Sequence, residues 1–171
     1  MPLEHTDPRL EAIAIRETVA RYCRLDFAGY RLNPSDWPKM QTVVAWPTNP
    51  EFSFFLPVSR FDIDTELVSQ HNKKYKITVH YHLIGRFEIA QGFSSESANQ
   101  LEDVEFVVSE VNGDWRVVDV QPNYPHPSRA ATLQWVTGKL TEITDPATKT
   151  IYQNSLDRLQ PPPQKTPAAN P

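Results

Sequence analysis

The chain of 171 residues is 39% hydrophobic and 11% aromatic, enough to fill one core of the size that typical single domains bury. Its formal net charge is −4, and its longest basic stretch is Lys73-Lys74 with Lys76 after Tyr75, which argues against a phosphate-binding surface and so against nucleic acid. A single cysteine, Cys23, excludes an internal disulfide and a cysteine-built metal site, and no apolar stretch approaches the roughly 20 residues that span a bilayer.

The first residues, Met1 to Asp7, lack the basic-then-apolar layout of a secretory signal. A cytoplasmic location is the default expectation, although an export segment removed beforehand would leave the same sequence. Asp7-Pro8 then predicts a helix start, because Asp supplies a capping oxygen and Pro at the first helical position loses no needed donor. The helix is expected to run to about Gly29, with Ile15, Val19, Tyr22, Cys23 and Asp26 on one face. Ser35 is the expected cap of a short second helix over Lys39 to Ala45, ended by Pro47 and Pro50. The aromatic, Pro-punctuated stretch from Asn49 to Pro57 reads as a loop or short edge strand.

Strands follow. Val58 to Ser69 alternates Phe61, Ile63 and Leu67 against Asp62, Asp64 and Glu66, and His71-Asn72-Lys73 is a turn. Tyr75 to Ile89 is the longest strand-like run, with Tyr75, Ile77, Val79, Tyr81 and Leu83 facing one way and Lys76, Thr78, His80 and His82 the other. Gly85 interrupts it as a bulge or bend. Gln91 to Asp103 reads as a loop. Asn112-Gly113 between Val104–Val111 and Trp115–Gln121 is a strong hairpin signal, and a two-residue turn would set Val108 opposite Val117 and Phe106 opposite Asp119. Ser128 caps an expected helix over Arg129 to Ile143, and Asp145-Pro146 starts another. The Pro-rich segment 161–171 cannot bury a core and is expected to be disordered, which leaves one α+β domain over residues 8–160.

Two segments carry a resemblance. In Ile15 to Tyr30, Arg21-Tyr22, Asp26 and Gly29 follow a loose pattern of tyrosine, acidic residue and glycine; in Val107 to Pro122 a turn glycine precedes Trp115-Arg116-Val117. With the order of elements over residues 8 to 122, they resemble the NTF2-like (SnoaL-like, cystatin-type cone) superfamily. The resemblance implies a long N-terminal helix packed on a curved antiparallel sheet, with an apolar cavity between the helix and the concave face. The C-terminal helical segment and the Trp/Pro-rich stretch 37–57 depart from the family pattern. The superfamily holds isomerases, dehydratases, cyclases, dioxygenase subunits and non-enzymatic binders, so the fold alone names no chemistry.

Tyr22 and Asp26, four apart on the first helix, reach the same space. A tyrosine donor beside a carboxylate could polarise a carbonyl and move a proton, as in isomerases of that superfamily; the commoner arrangement, and the one preferred, has Tyr22 as a satisfied core aromatic and Asp26 paired with Arg21, Arg24 or Arg31. Asp119 is expected to share a face with Trp115 and Val117, away from Arg116. There it either sits among apolar neighbours as an acid or base or ends the strand in solvent. His80 and His82 lie about 7 Å apart at ~3.3 Å rise per residue; without an aligned third ligand they read as wet-face residues, and no metal or cofactor is expected. Cys23 reads as inert packing. Gly-rich phosphate loops and Gly-x-Ser-x-Gly elbows are absent from the sequence.

Two functional readings follow. One is a binding or interaction protein that holds a small apolar molecule or forms a homodimer through the outer sheet face, where Val107, Val118 and Val120 need cover that a second copy or the C-terminal helix could supply. The other is an isomerase or dehydratase acting on an enolisable apolar substrate through Tyr22, Asp26 and Asp119, with Tyr22, Asp26, Trp115 and Asp119 lining the pocket. The binding reading is preferred because spacing argues only the Tyr22/Asp26 pair.

Overall fold

A computed structural model describes residues 7–160; the Pro-rich segment 161–171 lies outside the described residues. Helix α1 (Pro8–Phe27) starts as expected, with Asp7 accepting the Arg9 N–H at 2.9 Å and Pro8 in the first turn. Its buried residues are Ile15, Thr18, Val19, Tyr22, Cys23 and Asp26, the face that the helical period marks. The second helix is shorter than expected. A 3-10 turn (Pro34–Asp36) leads into α2 (Trp37–Met40), and Ser35 caps nothing. Residues beyond Met40 leave the helix because the backbone pairs with a strand edge instead: the Val117 N–H donates to Val43 O at 2.8 Å and the Ala45 N–H to Val117 O at 2.9 Å.

The strands are β1 (Phe54–Phe55), β2 (Val58–Ile63), β3 (Val68–Gln70), β4 (Lys74–Leu83), β5 (Arg86–Glu88), β6 (Gly92–Ser94), β7 (Leu101–Val111) and β8 (Asp114–Gln121). They form two antiparallel sheets, neither closed into a barrel. The larger has the order β2-β4-β7-β8 with β3 also paired to β4; the smaller has the order β1-β5-β6. The expected long strand from Tyr75 to Ile89 is therefore two strands in different sheets, and the expected loop after Gln91 contains β6 and the start of β7. The change of sheet falls at Gly85, where a Cβ would collide with the Ser94 carbonyl and the Phe93 ring.

The hairpin turns on Asn112-Gly113, both at positive φ (53° and 87°), and Val108 pairs with Val117. A bulge then shifts the register, so Phe106 pairs with Val120 and Asp119 with Val107. Helices α3 (Arg129–Leu140, capped by Ser128) and α4 (Pro146–Leu159, capped by Asp145) follow.

Each sheet has its own apolar cluster. The larger buries Ile77, Val79, Tyr81, Val104, Phe106, Val108, Val117 and Val120 against α1 and Met40 to Val44. The smaller sheet buries Phe55, Phe87 and Phe93 against Trp135, Val136, Tyr152 and Leu159 of the last two helices. The C-terminal helices thus cover the small sheet and leave the outer face of the large one to other groups.

Candidate functional site

Tyr22 and Asp26 are both buried toward the C-terminal end of α1, and the groups bonded to them come from elsewhere in the chain. In Pro125-His126-Pro127 the prolines have no N–H, so the one amide donor of the three belongs to His126. It donates to both oxygens of Asp26, at 3.2 and 3.1 Å. The His126 Nε2 lies 2.7 Å from Glu102 Oε1, and the Tyr124 hydroxyl donates to Glu102 Oε2 at 2.6 Å. The imidazole stacks on Tyr81, with ring centroids 3.9 Å apart and planes 10° apart. Arg31 donates from Nη1 to the Tyr22 hydroxyl at 3.1 Å and from Nε to Asn49 Oδ1 at 3.2 Å.

Asp26, Arg31 and Tyr22 are each 1% exposed and His126 is 2% exposed. Burial pushes the Asp26 carboxyl above the ordinary carboxylate range, with the nearby charges of Arg31 and His126 pulling it back. Burial likewise raises the Tyr22 and Tyr81 hydroxyls, and pushes the Cys23 thiol up to about 12. Cys23, 3.5 Å from the Tyr81 hydroxyl, is a buried packing residue rather than a thiolate.

The four residues expected to line one pocket do not share a space. Trp115 lies near the other end of α1, edge-on to Tyr75 at 5.9 Å, whose hydroxyl reaches Glu11. Asp119 is exposed; the bulge in β8 carries Val120, not Asp119, to the side of Val117, and its carboxylate accepts the Val120 N–H at 3.0 Å. Between α1 and the sheet, Tyr22 packs edge-on to Phe106 at 5.1 Å, and side chains fill the region. His80 and His82 sit on the outer face beside carboxylates, His80 2.6 Å from Asp103 and His82 2.8 Å from Asp62. Among the described residues no group of three or more His, Cys, Asp or Glu is placed to hold a metal ion.

The clefts open at the surface, away from this network. One of them, about 510 Å³, is lined by Pro34, Trp37, Thr48, Asn49, Pro50, Glu51 and Phe52. It lies in the Trp/Pro-rich stretch that departs from the family pattern. Trp37 is fixed in its wall, because its indole N–H donates to Pro47 O at 2.9 Å. Asn49 joins this groove to the buried network: it accepts from Arg31 Nε and donates to the Arg31 carbonyl at 2.8 Å. Sequence reasoning missed His126, Glu102 and the groove. A histidine held between two prolines was the available signal for the first.

No protein-family model matches this chain, and neither a curated protein nor a solved structure matches it.

Proposed function

We propose that this chain is a small-molecule-binding domain of NTF2-like type whose ligand, a compact aromatic or alicyclic molecule, sits in the groove between Trp37 and Phe52. The supports for the NTF2-like reading are a long helix laid on an antiparallel sheet, a short second helix and the closing hairpin. The observation that carries the binding reading is the groove itself. Its volume of about 510 Å³ falls in the range of small-molecule sites, and an indole, a phenyl ring and two prolines supply apolar walls. The outer face of the large sheet is a weaker candidate for a homodimer, since Lys76–Glu105, His80–Asp103 and His82–Asp62 pairs occupy it. The test uses chain labelled with 5-fluorotryptophan, whose four resonances separate the four indoles. A neutral probe, 1-naphthaleneacetamide, is expected to shift the Trp37 resonance saturably, and Phe52→Ser to weaken that shift several-fold. Equal shifts at all four indoles, or none, would sink the reading.

One observation favours a second reading, an isomerase or dehydratase. Hydrogen bonds link the buried Asp26 and His126 to the part-buried Glu102, with the buried Tyr22 on the same face of α1 as Asp26, a set of groups of the kind that proton transfer at an enolisable carbon requires. In this reading His126 takes the part expected of Asp119, and a substrate enters only when the segment around His126 lifts. Deuterium exchange at the α-carbon of a cyclic ketone tests it; exchange that survives unchanged in Tyr22→Phe removes it.

A further inference from the structure

Arg31 is an ionised group set in the interior, since its guanidinium stays protonated in proteins. Among the described residues it makes no ion pair: its recorded partners are the neutral Tyr22 hydroxyl and Asn49 amide, and Nη2 has none. Asp26, whose charge it influences, has both oxygens turned to the His126 amide. A buried donor without a partner carries an uncompensated desolvation cost, larger when the group is charged.

The geometry of the guanidinium says what would complete it. Nε and Nη2 form one edge of the fork, two parallel donors spaced to match the two oxygens of a carboxylate. Asn49 fills half of that edge, because an amide offers one oxygen where a carboxylate offers two. The same Asn49 lines the groove, with the apolar walls of Trp37 and Phe52 beyond it. Glu51 also lines the groove, but it is exposed, where solvent screens its charge.

We infer that the groove's ligand is an amphipathic carboxylate: its ring system lies between Trp37 and Phe52, and its carboxylate displaces the Asn49 amide to take the Nε and Nη2 edge of Arg31. This rests on the binding reading above and adds the anion to it. Uncharged analogues forgo the charge-assisted pair, so the site discriminates by charge as well as by shape.

The experiment compares two probes with one ring system, 1-naphthaleneacetate and 1-naphthaleneacetamide, by calorimetry and by the fluorotryptophan resonance of Trp37. Wild type is expected to bind the carboxylate roughly tenfold or more tightly than the amide. Arg31→Gln is expected to bring the two to the amide's affinity. Asn49→Ala, which removes the competitor without touching the buried charge, is expected to strengthen carboxylate binding and keeps the test decisive if Arg31→Gln does not fold. Equal affinities with a moving Trp37 resonance would overturn the inference while sparing the groove. A preference for carboxylate that Asn49→Ala leaves untouched would also overturn it. A Trp37 resonance that neither probe moves would overturn both.

Discussion

Asp26 shows how one residue can serve a fold and tax it at the same time. Its carboxyl group holds the His126 amide and feels the Arg31 charge, yet burial raises its proton affinity above the ordinary carboxylate value. A group whose folded pKa is raised contributes stability that is full below its unfolded pKa and is lost as pH rises through the folded one. Asp26→Asn keeps an acceptor for His126 and removes the titration. The stability advantage of wild type over Asp26→Asn is therefore expected to be greatest near pH 4 and to shrink as pH rises, by at most about 1.4 kcal/mol per pH unit. Urea unfolding of both proteins across the mildly acidic to neutral range measures it. An advantage that grows with pH would mean that Arg31 and the His126 amide outweigh burial and keep Asp26 ionised.

At the scale of elements, α4 offers a clean test of docking. Ser155 is buried, accepts the Phe93 N–H of β6 at 2.9 Å and donates to Ile151 O at 2.9 Å. Gly92 lies so close that a Cβ there would collide with the Ser155 hydroxyl and come within 2.8 Å of Ile151 Cγ2. Ser155→Ala leaves a buried N–H without its acceptor and is expected to cost about 1–3 kcal/mol, read as a lower urea midpoint at unchanged slope. A midpoint unmoved by Ser155→Ala would show that packing alone holds α4 to the small sheet. The same element also marks what the sequence could and could not disclose. The α4 start at Asp145-Pro146, the buried face of α1 and the Asn112-Gly113 hairpin rest on neighbours within a few residues, where helical period, caps and turn chemistry act. The small sheet rests on strands of two or three residues that are too short to show a period, and its existence depends on distant apolar partners. The β8 bulge moved Asp119 out of the expected pocket without any glycine to announce it. His126 meets Asp26 across 100 residues, a distance over which no local pattern reaches.

At the scale of the molecule, the question is whether two sheets with separate apolar clusters unfold together. Three covalent links join them: Leu56 and Pro57 between β1 and β2, Ile84 and Gly85 between β4 and β5, and residues 95–100 between β6 and β7. The segment from Pro122 to Ser128 adds a strap. Its prolines offer carbonyls to the β1–β2 link and to the first residue of β2, accepting the Leu56 N–H at Pro125 O (3.1 Å) and the Val58 N–H at Pro127 O (2.8 Å). Two of its backbone donors go to α1, the Ser128 N–H to Phe27 O at 2.9 Å and the His126 N–H to Asp26. Lifting the strap therefore frees the end of α1 and the β1–β2 junction together. One cooperative transition is expected, with the fluorotryptophan resonances of Trp115, in the large cluster, and Trp135, in the small one, losing their native positions at the same urea concentration. His126→Ala removes the Tyr81 stack and the Glu102 bond while keeping the backbone donor to Asp26. It is expected to destabilise by several kcal/mol and still leave the two resonances coincident, because the strap's carbonyls remain. Separate midpoints in wild type would show that the two clusters fold as independent units and that the strap merely lies between them.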